Sequence, residues 1–234
     1  ASTTKTWTFT PGNEFDSATI EWHDGATAWT ATGCMVNSLK FAGSVSGENL
    51  CTAEIFGKDM ERKALKAGLT HRVPAIFEGW ETALAIDALG ATPGTTAVTG
   101  TLLDWDITLT NGLARKYFAA NTLNIGGLSV GELEVKAELT FEAAAAQSTT
   151  EYSNWDGVTH RLLRLTFGNN AQIGAGPDKE MVTVDLPGAW TAVDLGGSDE
   201  GTRTYKFSLQ GIYDPTNAFG LQVVVTTARA TAWM

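Results

Sequence analysis

The chain has 234 residues, of which 43% are hydrophobic and only 18% are charged, and its formal net charge at pH 7 is −10. This acidic balance excludes a protein that wraps nucleic acid, because phosphate binding needs many exposed lysine and arginine side chains. No run of about eighteen apolar residues occurs, so the sequence predicts no membrane-spanning helix.

The first predicted element is a β-hairpin over residues 37–57, NSLKFAGSVSGENLCTAEIFG. Two runs with alternating apolar residues flank a turn at Ser46–Gly47. The pattern returns at residues 121–141, NTLNIGGLSVGELEVKAELTF. We therefore predict that the same hairpin unit occurs twice in the chain, in a protein rich in strands and turns.

A second pair of similar segments follows the two hairpins. THRVPAIFEG begins at Thr70, and THRLLRLTFG begins at Thr159. The order of the segments is the same in both copies, which predicts a pseudo-repeat with halves at 18–105 and 106–234. No Pro-rich or charged linker separates these halves, so we expect a single domain over residues 1–234.

Two short helices are predicted, each after one copy of the hairpin. Residues 58–66 (KDMERKALK) have Asp59 as a candidate N-cap and Gly68 as a stop signal. Residues 142–147 (EAAAAQ) follow the second copy. Helix is otherwise scarce in the pattern.

The remaining predicted elements are strands. One run ends at Asn111–Gly112, which is a type I′ hairpin signal. The fold class is therefore mainly β, a sandwich or barrel with one or two short helices and an internal hairpin repeat. The strands in addition to those of the hairpins are residues 102–109, 161–167, 181–186, 204–209 and 221–227.

The strand with the most regular alternation is predicted over Glu132–Glu142. Its apolar side chains alternate strictly with polar ones, so one face lies in the core and the other in water. A solvated outer face explains the polar residues. A second hypothesis is that the strand joins a barrel made with neighbouring subunits, so that its carboxylates form acidic rings that repel phosphates. The polar residues concerned are Glu132, Glu134, Lys136, Glu138, Thr140 and Glu142.

The two cysteines, Cys34 and Cys51, do not lie opposite each other when the first hairpin is paired about its turn. We predict two free, buried thiols, as in a reducing compartment. The first residues also lack an apolar signal core, which favours synthesis in a cytosol.

Candidate catalytic and metal-binding residues are few. The three histidines, His23, His71 and His160, have no His or Cys at ligand spacing, which argues against zinc and favours structural roles. No nucleophile elbow, phosphate-binding loop or dinucleotide-binding motif is present. We therefore expect neither an enzyme nor a cofactor or metal.

Two acidic groups leave alternatives open. Asp104 and Asp106 flank Trp105 and share a strand face, so they fit either a solvated face or a paired-carboxylate hydrolase site. The residues Asp194, Asp199 and Glu200 lie near glycines and could bind calcium weakly, although they lack the regular spacing of a calcium loop.

The eight tryptophans are spread along the whole chain. Scattered aromatic residues are typical of core and interface anchors. Trp7 and Trp233, near the two termini, are candidates for anchoring arms onto adjacent subunits. Exposed tryptophans also support an alternative function, a carbohydrate-binding or adhesive β-sandwich module.

Several segments that span most of the chain share one pattern of strands and turns. They are residues 36–47 (VNSLKFAGSVSG), 78–100 (EGWETALAIDALGATPGTTAVTG), 103–123 (LDWDITLTNGLARKYFAANTL), 132–142 (ELEVKAELTFE), and the closing stretch from YKFSLQGIYDP to VVVTTARATA. Together they resemble the major tail tube proteins of long-tailed, siphovirus-type bacteriophages.

The resemblance implies a structural virion protein of the tail, made in the bacterial cytoplasm. Its β-sandwich would join with those of neighbouring subunits into a barrel around a bore. Rings, usually hexameric, would stack into a tube that conducts the genome, with other tail proteins as partners and DNA passing through without specific binding. Some relatives carry two fused modules and form trimeric, pseudo-hexameric rings, an option that the internal repeat raises.

Overall fold

The computed structural model of the protein describes residues 4–12, 16–64, 76–119, 125–173 and 177–228, and the fold is mainly β. In chain order the strands are β1 (Lys5–Phe9), β2 (Ala18–His23), β3 (Ala28–Ser44), β4 (Leu50–Phe56), β5 (Asp59–Arg62), β6 (Ala83–Ala88), β7 (Ala97–Val98), β8 (Leu102–Thr110), β9 (Leu113–Lys116), β10 (Gly127–Val130), β11 (Glu134–Glu142), β12 (His160–Gln172), β13 (Lys179–Asp199), β14 (Thr202–Gly211) and β15 (Gln222–Thr227). The helices are a 3₁₀ turn at Gly79–Glu81 and α1 (Ala146–Asp156).

Six strands form the first layer of a sandwich, in the order β4–β3–β8–β11–β14–β13. Every neighbouring pair in this layer is antiparallel. The predicted strands 102–109, 132–142 and 204–209 all lie here. The strand predicted over Glu132–Glu142 begins two residues later, at Glu134, so Leu133 is exposed rather than buried.

The second layer contains β1–β15–β13–β12–β6–β7. Strand β13 belongs to both layers because it is 21 residues long. Its residues 181–185 pair with β15, and its residues 188–199 pair with β14. The predicted strand 221–227 is β15, which lies between β1 and β13.

The hydrophobic core lies between the two layers. Phe41 of the first layer stacks on Phe167 of the second at 6.3 Å between ring centroids. Phe141 and Phe207, both fully buried, meet edge to face at 5.7 Å. Burial of each such side chain contributes about 1.5–3 kcal/mol, so this interface dominates the stability of the sandwich.

An arm extends the first layer at one end. Residues 28–34 of β3 pair with β2 on one edge, and residues 29–32 pair with β5 on the other. The helix predicted over residues 58–66 is wrong in its described part, because 59–62 form β5. Hydrogen bonding to an existing strand has overridden the helical propensity of this short segment.

The second predicted hairpin is also wrong. Strand β10 pairs with β9, whereas β11 pairs with β8 and β14. The first hairpin, β3–β4, is confirmed and turns at the predicted position, since Ala42 pairs with Leu50. The two similar sequence segments therefore fold differently, because β11 is central in the layer and β4 is not.

The hairpin predicted at Asn111–Gly112 does not form either. Gly112 has a positive φ of 60°, as a tight turn requires, but β8 and β9 on its two sides do not pair with each other. The turn instead sends the chain out of the first layer, and the amide of Asn111 donates to the carbonyl of Asn37.

Helix α1 closes one end of the sandwich. It begins four residues after the predicted start at Glu142, since that residue still belongs to β11. Trp155 on the helix packs against the core. The short Ala-rich segment thus supplies the turn before the helix, and the helix extends further than predicted.

The carboxylate of Glu151 attaches α1 to the sandwich. Glu151 is fully buried and accepts hydrogen bonds from Arg161 Nε at 3.1 Å, from Arg161 Nη2 at 3.0 Å and from the Trp190 indole Nε1 at 2.8 Å. A buried charge is tolerated only when its hydrogen bonds are satisfied in this way.

We expect Glu151→Ala to lower the free energy of unfolding by about 3–5 kcal/mol, because it leaves the guanidinium of Arg161 buried without its partner. Urea denaturation followed by tryptophan fluorescence measures the loss. The matched control is Glu61→Ala, which removes an exposed carboxylate paired with Lys63 and should cost less than about 1 kcal/mol. Equal losses in the two variants would contradict a structural role for the Glu151 network.

Candidate functional site

The outward side of the first layer is a continuous polar surface, which we call the polar face. Alternation along each strand sends the apolar side chains to the core and leaves the polar ones on this side. Among the residues that the structure describes, its charged members are Lys40, Glu54, Asp104, Asp106, Glu134, Lys136, Glu138, Glu142, Asp194, Asp199 and Lys206. Carboxylates outnumber ammonium groups eight to three in this set.

The centre of the polar face is a row of four charged side chains. Asp106 on β8 lies directly opposite Glu138 on β11, so two like charges face each other. Lys40 on β3 forms an ion pair with Asp106, and Lys206 on β14 forms one with Glu138 at 2.6 Å. The order across the sheet is therefore lysine, aspartate, glutamate, lysine. Each lysine offsets part of the repulsion between the two carboxylates.

A third lysine on the face is paired within its own strand. Lys136 Nζ lies 2.8 Å from the carboxylate of Glu134, two residues earlier on the same side of β11. All three pairs are partly exposed, so each contributes only about 0–1 kcal/mol to stability. Their main effect is on the charge that the surface presents.

Electrostatics near one end of the row shift two pKa values. The hydrogen bond with Glu138 raises the pKa of Lys206, against an opposing effect of burial. Burial raises the pKa of Asp104, and the nearby charge of Asp199 raises it further, while Lys206 opposes the rise. Asp106 forms an ion pair with Lys40 and accepts a hydrogen bond from the Thr108 hydroxyl, whereas Asp104 has the charge of Lys206 acting on it from nearby.

The predicted acidic strand supplies only part of this surface. Glu134, Lys136, Glu138 and Glu142 lie on the polar face, whereas Glu132 precedes β11 and lies outside it. Sequence reasoning treated that strand alone and missed the contributions of its neighbours. The signal was present in the alternating stretches SLKFAGS and LDWDITLT, which place Lys40 and Asp106 on the same side.

The two ends of the first layer are open edges. In the part of the chain that the structure describes, β4 pairs only with β3, and residues 190–199 of β13 pair only with β14. Apolar side chains are exposed at both ends, with Ile55 at 42% and Leu195 at 40%. Such edges are sites for pairing with another chain.

The free edge of β4 borders an opening between the two layers. A small apolar groove of about 100 Å³ lies there, and Phe41, Phe77, Phe167 and Val182 line it. Cys51 of β4 is also in this lining and is exposed, so the expectation of a buried thiol is wrong for this residue. Cys34 is buried as expected, and both cysteines are free.

The described tryptophans do not gather on one exposed surface. Trp22 lies on the arm and Trp80 on the 3₁₀ turn, and these two are the most exposed of the set. Trp105 and Trp190 are buried. Trp7 is half-buried on β1, which is an edge strand of the second layer, and Trp233 lies outside the described residues.

The predicted structural histidines are placed as follows. His23 Nδ1 accepts a hydrogen bond from the amide of Gly25 at 2.9 Å, which caps the turn after β2. His160 begins β12 and is exposed, and His71 lies outside the described residues. Within the described ranges, no group of three or more His, Cys, Asp or Glu side chains is arranged to hold a metal ion. No helix in the same ranges is long and apolar enough to cross a membrane.

A family model described as phage tail tube protein matches residues 1–201. No curated protein matches the chain.

We expect Lys40→Met combined with Lys206→Met to lower the free energy of unfolding by about 1 kcal/mol, because Asp106 and Glu138 then repel each other without compensation. Urea denaturation at low and at high salt measures the loss. The loss should shrink at about 1 M salt, where the screening length is about 3 Å. Lys63→Met, on the exposed pair with Glu61, is the control, and a salt-independent loss would contradict the electrostatic origin.

Proposed function

The chain belongs to the phage tail tube protein family, and from this membership we propose that its copies assemble into stacked rings that enclose a conduit for the phage genome. It is a structural protein of the virion tail. The polar face lines the conduit in this proposal, and the open edges of the first layer join neighbouring subunits. Synthesis takes place in the bacterial cytoplasm, and other tail proteins contact the ends of the tube.

The observation that carries the proposal is the construction of the first layer. The apolar side of its central strands packs in the core, the other side is polar with an excess of carboxylates, and both of its ends are open. A carboxylate-rich wall repels the phosphates of DNA, so that the DNA can move without being held.

The strand directions support joining by edge pairing. The layer has six strands, each antiparallel to the next, so β4 and β13 run in opposite directions. When copies are related by rotation about a ring axis, β13 of one copy lies beside β4 of the next, and the pair is antiparallel. Such a contact between two different surfaces closes into a ring if the rotation completes a circle.

The number of polar layers in each subunit bears on the choice between three and six subunits in a ring. A trimeric ring of pseudo-hexameric symmetry requires two equivalent modules in each chain. The second hairpin does not form, and the described part of the chain supplies a single six-stranded polar layer. This favours six subunits in each ring and a single domain over residues 1–234.

A tryptophan on the second layer is a further candidate for contact between subunits. Trp7 lies on β1, whose only partner among the described strands is β15. An edge strand with a half-buried tryptophan fits a contact with a neighbouring subunit. We propose the same anchoring role for Trp233.

The edge pairing predicts a specific disulfide between subunits. Cys51 of β4 and Val193 of β13 both face the core side of the layer, since they pair with Phe41 and Phe207. Opposite residues in paired strands lie about 4.5–5.5 Å apart, within reach of a disulfide. In assembled tubes that carry Cys34→Ser, we expect Val193→Cys or Leu195→Cys to give a ladder of covalent oligomers on oxidation, seen on a denaturing gel.

The control for this experiment adds Cys51→Ser, which should abolish the ladder. Negative-stain microscopy verifies that the variants still form tubes. Intact tubes without a ladder for either cysteine position would contradict the pairing of β4 with β13.

The lining of the conduit predicts a charge effect on genome delivery. We expect Glu134→Lys combined with Glu138→Lys to leave the subunit folded, because both side chains are solvent-facing, and to impair DNA delivery, because the added lysines attract phosphates. Infectivity of virions that carry the variant is the measurement, with circular dichroism as the folding check.

The matched control is Asp59→Lys combined with Glu61→Lys on the arm, which makes the same charge change away from the polar face. Normal infectivity of the Glu134 and Glu138 variant, with intact tails, would contradict a lining role for these residues.

A further inference from the structure

We propose that Asp106, Glu134 and Glu138 serve as built-in counterions for Lys40, Lys136 and Lys206, and so prevent the lysines of the polar face from holding DNA phosphates. The inference rests on the proposed function, because it requires the polar face to line the conduit. It assigns the individual carboxylates a role beyond a general negative charge. Each one masks a particular ammonium group.

The contacts of the three lysines carry the inference. Lys206 lies 2.6 Å from Glu138, Lys136 lies 2.8 Å from Glu134, and Lys40 is in direct contact with Asp106. These are distances of charge-assisted hydrogen bonds. A phosphate oxygen that approaches any of these ammonium groups must displace a carboxylate that is already in place.

The lysines are themselves needed on the polar face. Asp106 and Glu138 are opposed across the sheet, and Lys40 and Lys206 sit beside them on the two outer sides. The lysines relieve the repulsion between the carboxylates within the sheet. The carboxylates in turn hide the lysines from the conduit, so both signs of charge are needed.

Repetition makes the masking necessary. A single exposed ammonium group binds a phosphate weakly. A tube presents the same group once in every subunit, and DNA meets many of these groups at the same time. Weak contacts that engage together give a much stronger total attachment, so one unmasked lysine in each subunit would slow the passage of DNA.

The test uses single substitutions that unmask one lysine. Glu138→Gln keeps the size of the side chain and removes the carboxylate that is in direct contact with Lys206. Glu138→Gln combined with Lys206→Gln removes the freed cation again. Glu61→Gln frees Lys63 on β5, away from the polar face, and makes the same change in net charge as Glu138→Gln.

The measurement is the rate at which triggered virions release DNA, followed with a DNA-binding dye. We expect Glu138→Gln to slow release, and Glu61→Gln to release DNA at the wild-type rate. The slowing should shrink at least about threefold between about 50 and 200 mM salt, because a single lysine–phosphate contact weakens by about that factor. The double variant should recover most of the lost rate.

Three results would overturn the inference: wild-type release by Glu138→Gln at low salt, equal slowing by Glu61→Gln, or no recovery in the double variant. Negative-stain microscopy of tail length establishes that the variants assemble. These outcomes concern masking alone and do not bear on whether the polar face lines the conduit.

A separate measurement tests the proposed function itself. Ser208 lies on the polar face beside Glu138, and Ser208→Cys in a chain with Cys34→Ser and Cys51→Ser places one thiol there. We expect a maleimide attached to a large protein to label this thiol in free subunits and not in assembled tubes. Equal labelling in both states would place the face outside the tube and would overturn the lining role together with the inference. Protection of the thiol with unslowed release by Glu138→Gln would overturn the inference alone.

Discussion

The period-two alternation of side chains along the strands of the first layer is the constraint on which this structure depends. Leu139 and Phe141 face the core and are fully buried, while Glu138 between β8 and β14 faces the other way. A shift of one residue in β11 would move carboxylates into the core, where an unpaired charge costs several kcal/mol. Packing of the apolar residues in the core therefore also determines which residues lie on the polar face.

The local sequence pattern was sufficient to predict the strands that bury only one face. The alternation in β11, β12 and β14 predicts one buried face for each strand, and Phe141, Leu165 and Phe207 on these faces are fully buried. Local pattern failed where pairing decides the structure. Residues 59–62 are helical by propensity but pair with β3, and β10 joins β9 rather than β11. Such choices depend on which distant strand edge is free, which the sequence of one segment does not contain.

The sequence predicts that an acidic strand face exists, but it does not predict which residues of other strands join that face. The acidic side of β11 was visible as a repeat of Glu and Lys at alternate positions. The partners of that side were not, because Lys40, Asp106 and Lys206 come from strands far apart in sequence and meet only through the sheet register. The same holds for Glu151 on helix α1, whose buried carboxylate accepts hydrogen bonds from Arg161 on β12 and Trp190 on β13. In both cases the charged partners follow from strand order, and strand order follows from the packing of the two layers.

In the proposed assembly, the same alternation would extend beyond one subunit. The core-side residues of the central strands in the first layer are buried by other residues of the same chain. These strands therefore need no second copy to complete their packing. The end strands differ, because every residue of β4 from Leu50 to Ile55 is exposed, on the core side as well as on the polar side. A neighbouring strand on that edge would continue the core on one side and the polar face on the other, since antiparallel pairing preserves which face each residue occupies. The polar face of one subunit would then continue into the next without interruption, and the balance of paired lysines and surplus carboxylates set within each chain would be repeated around the whole conduit.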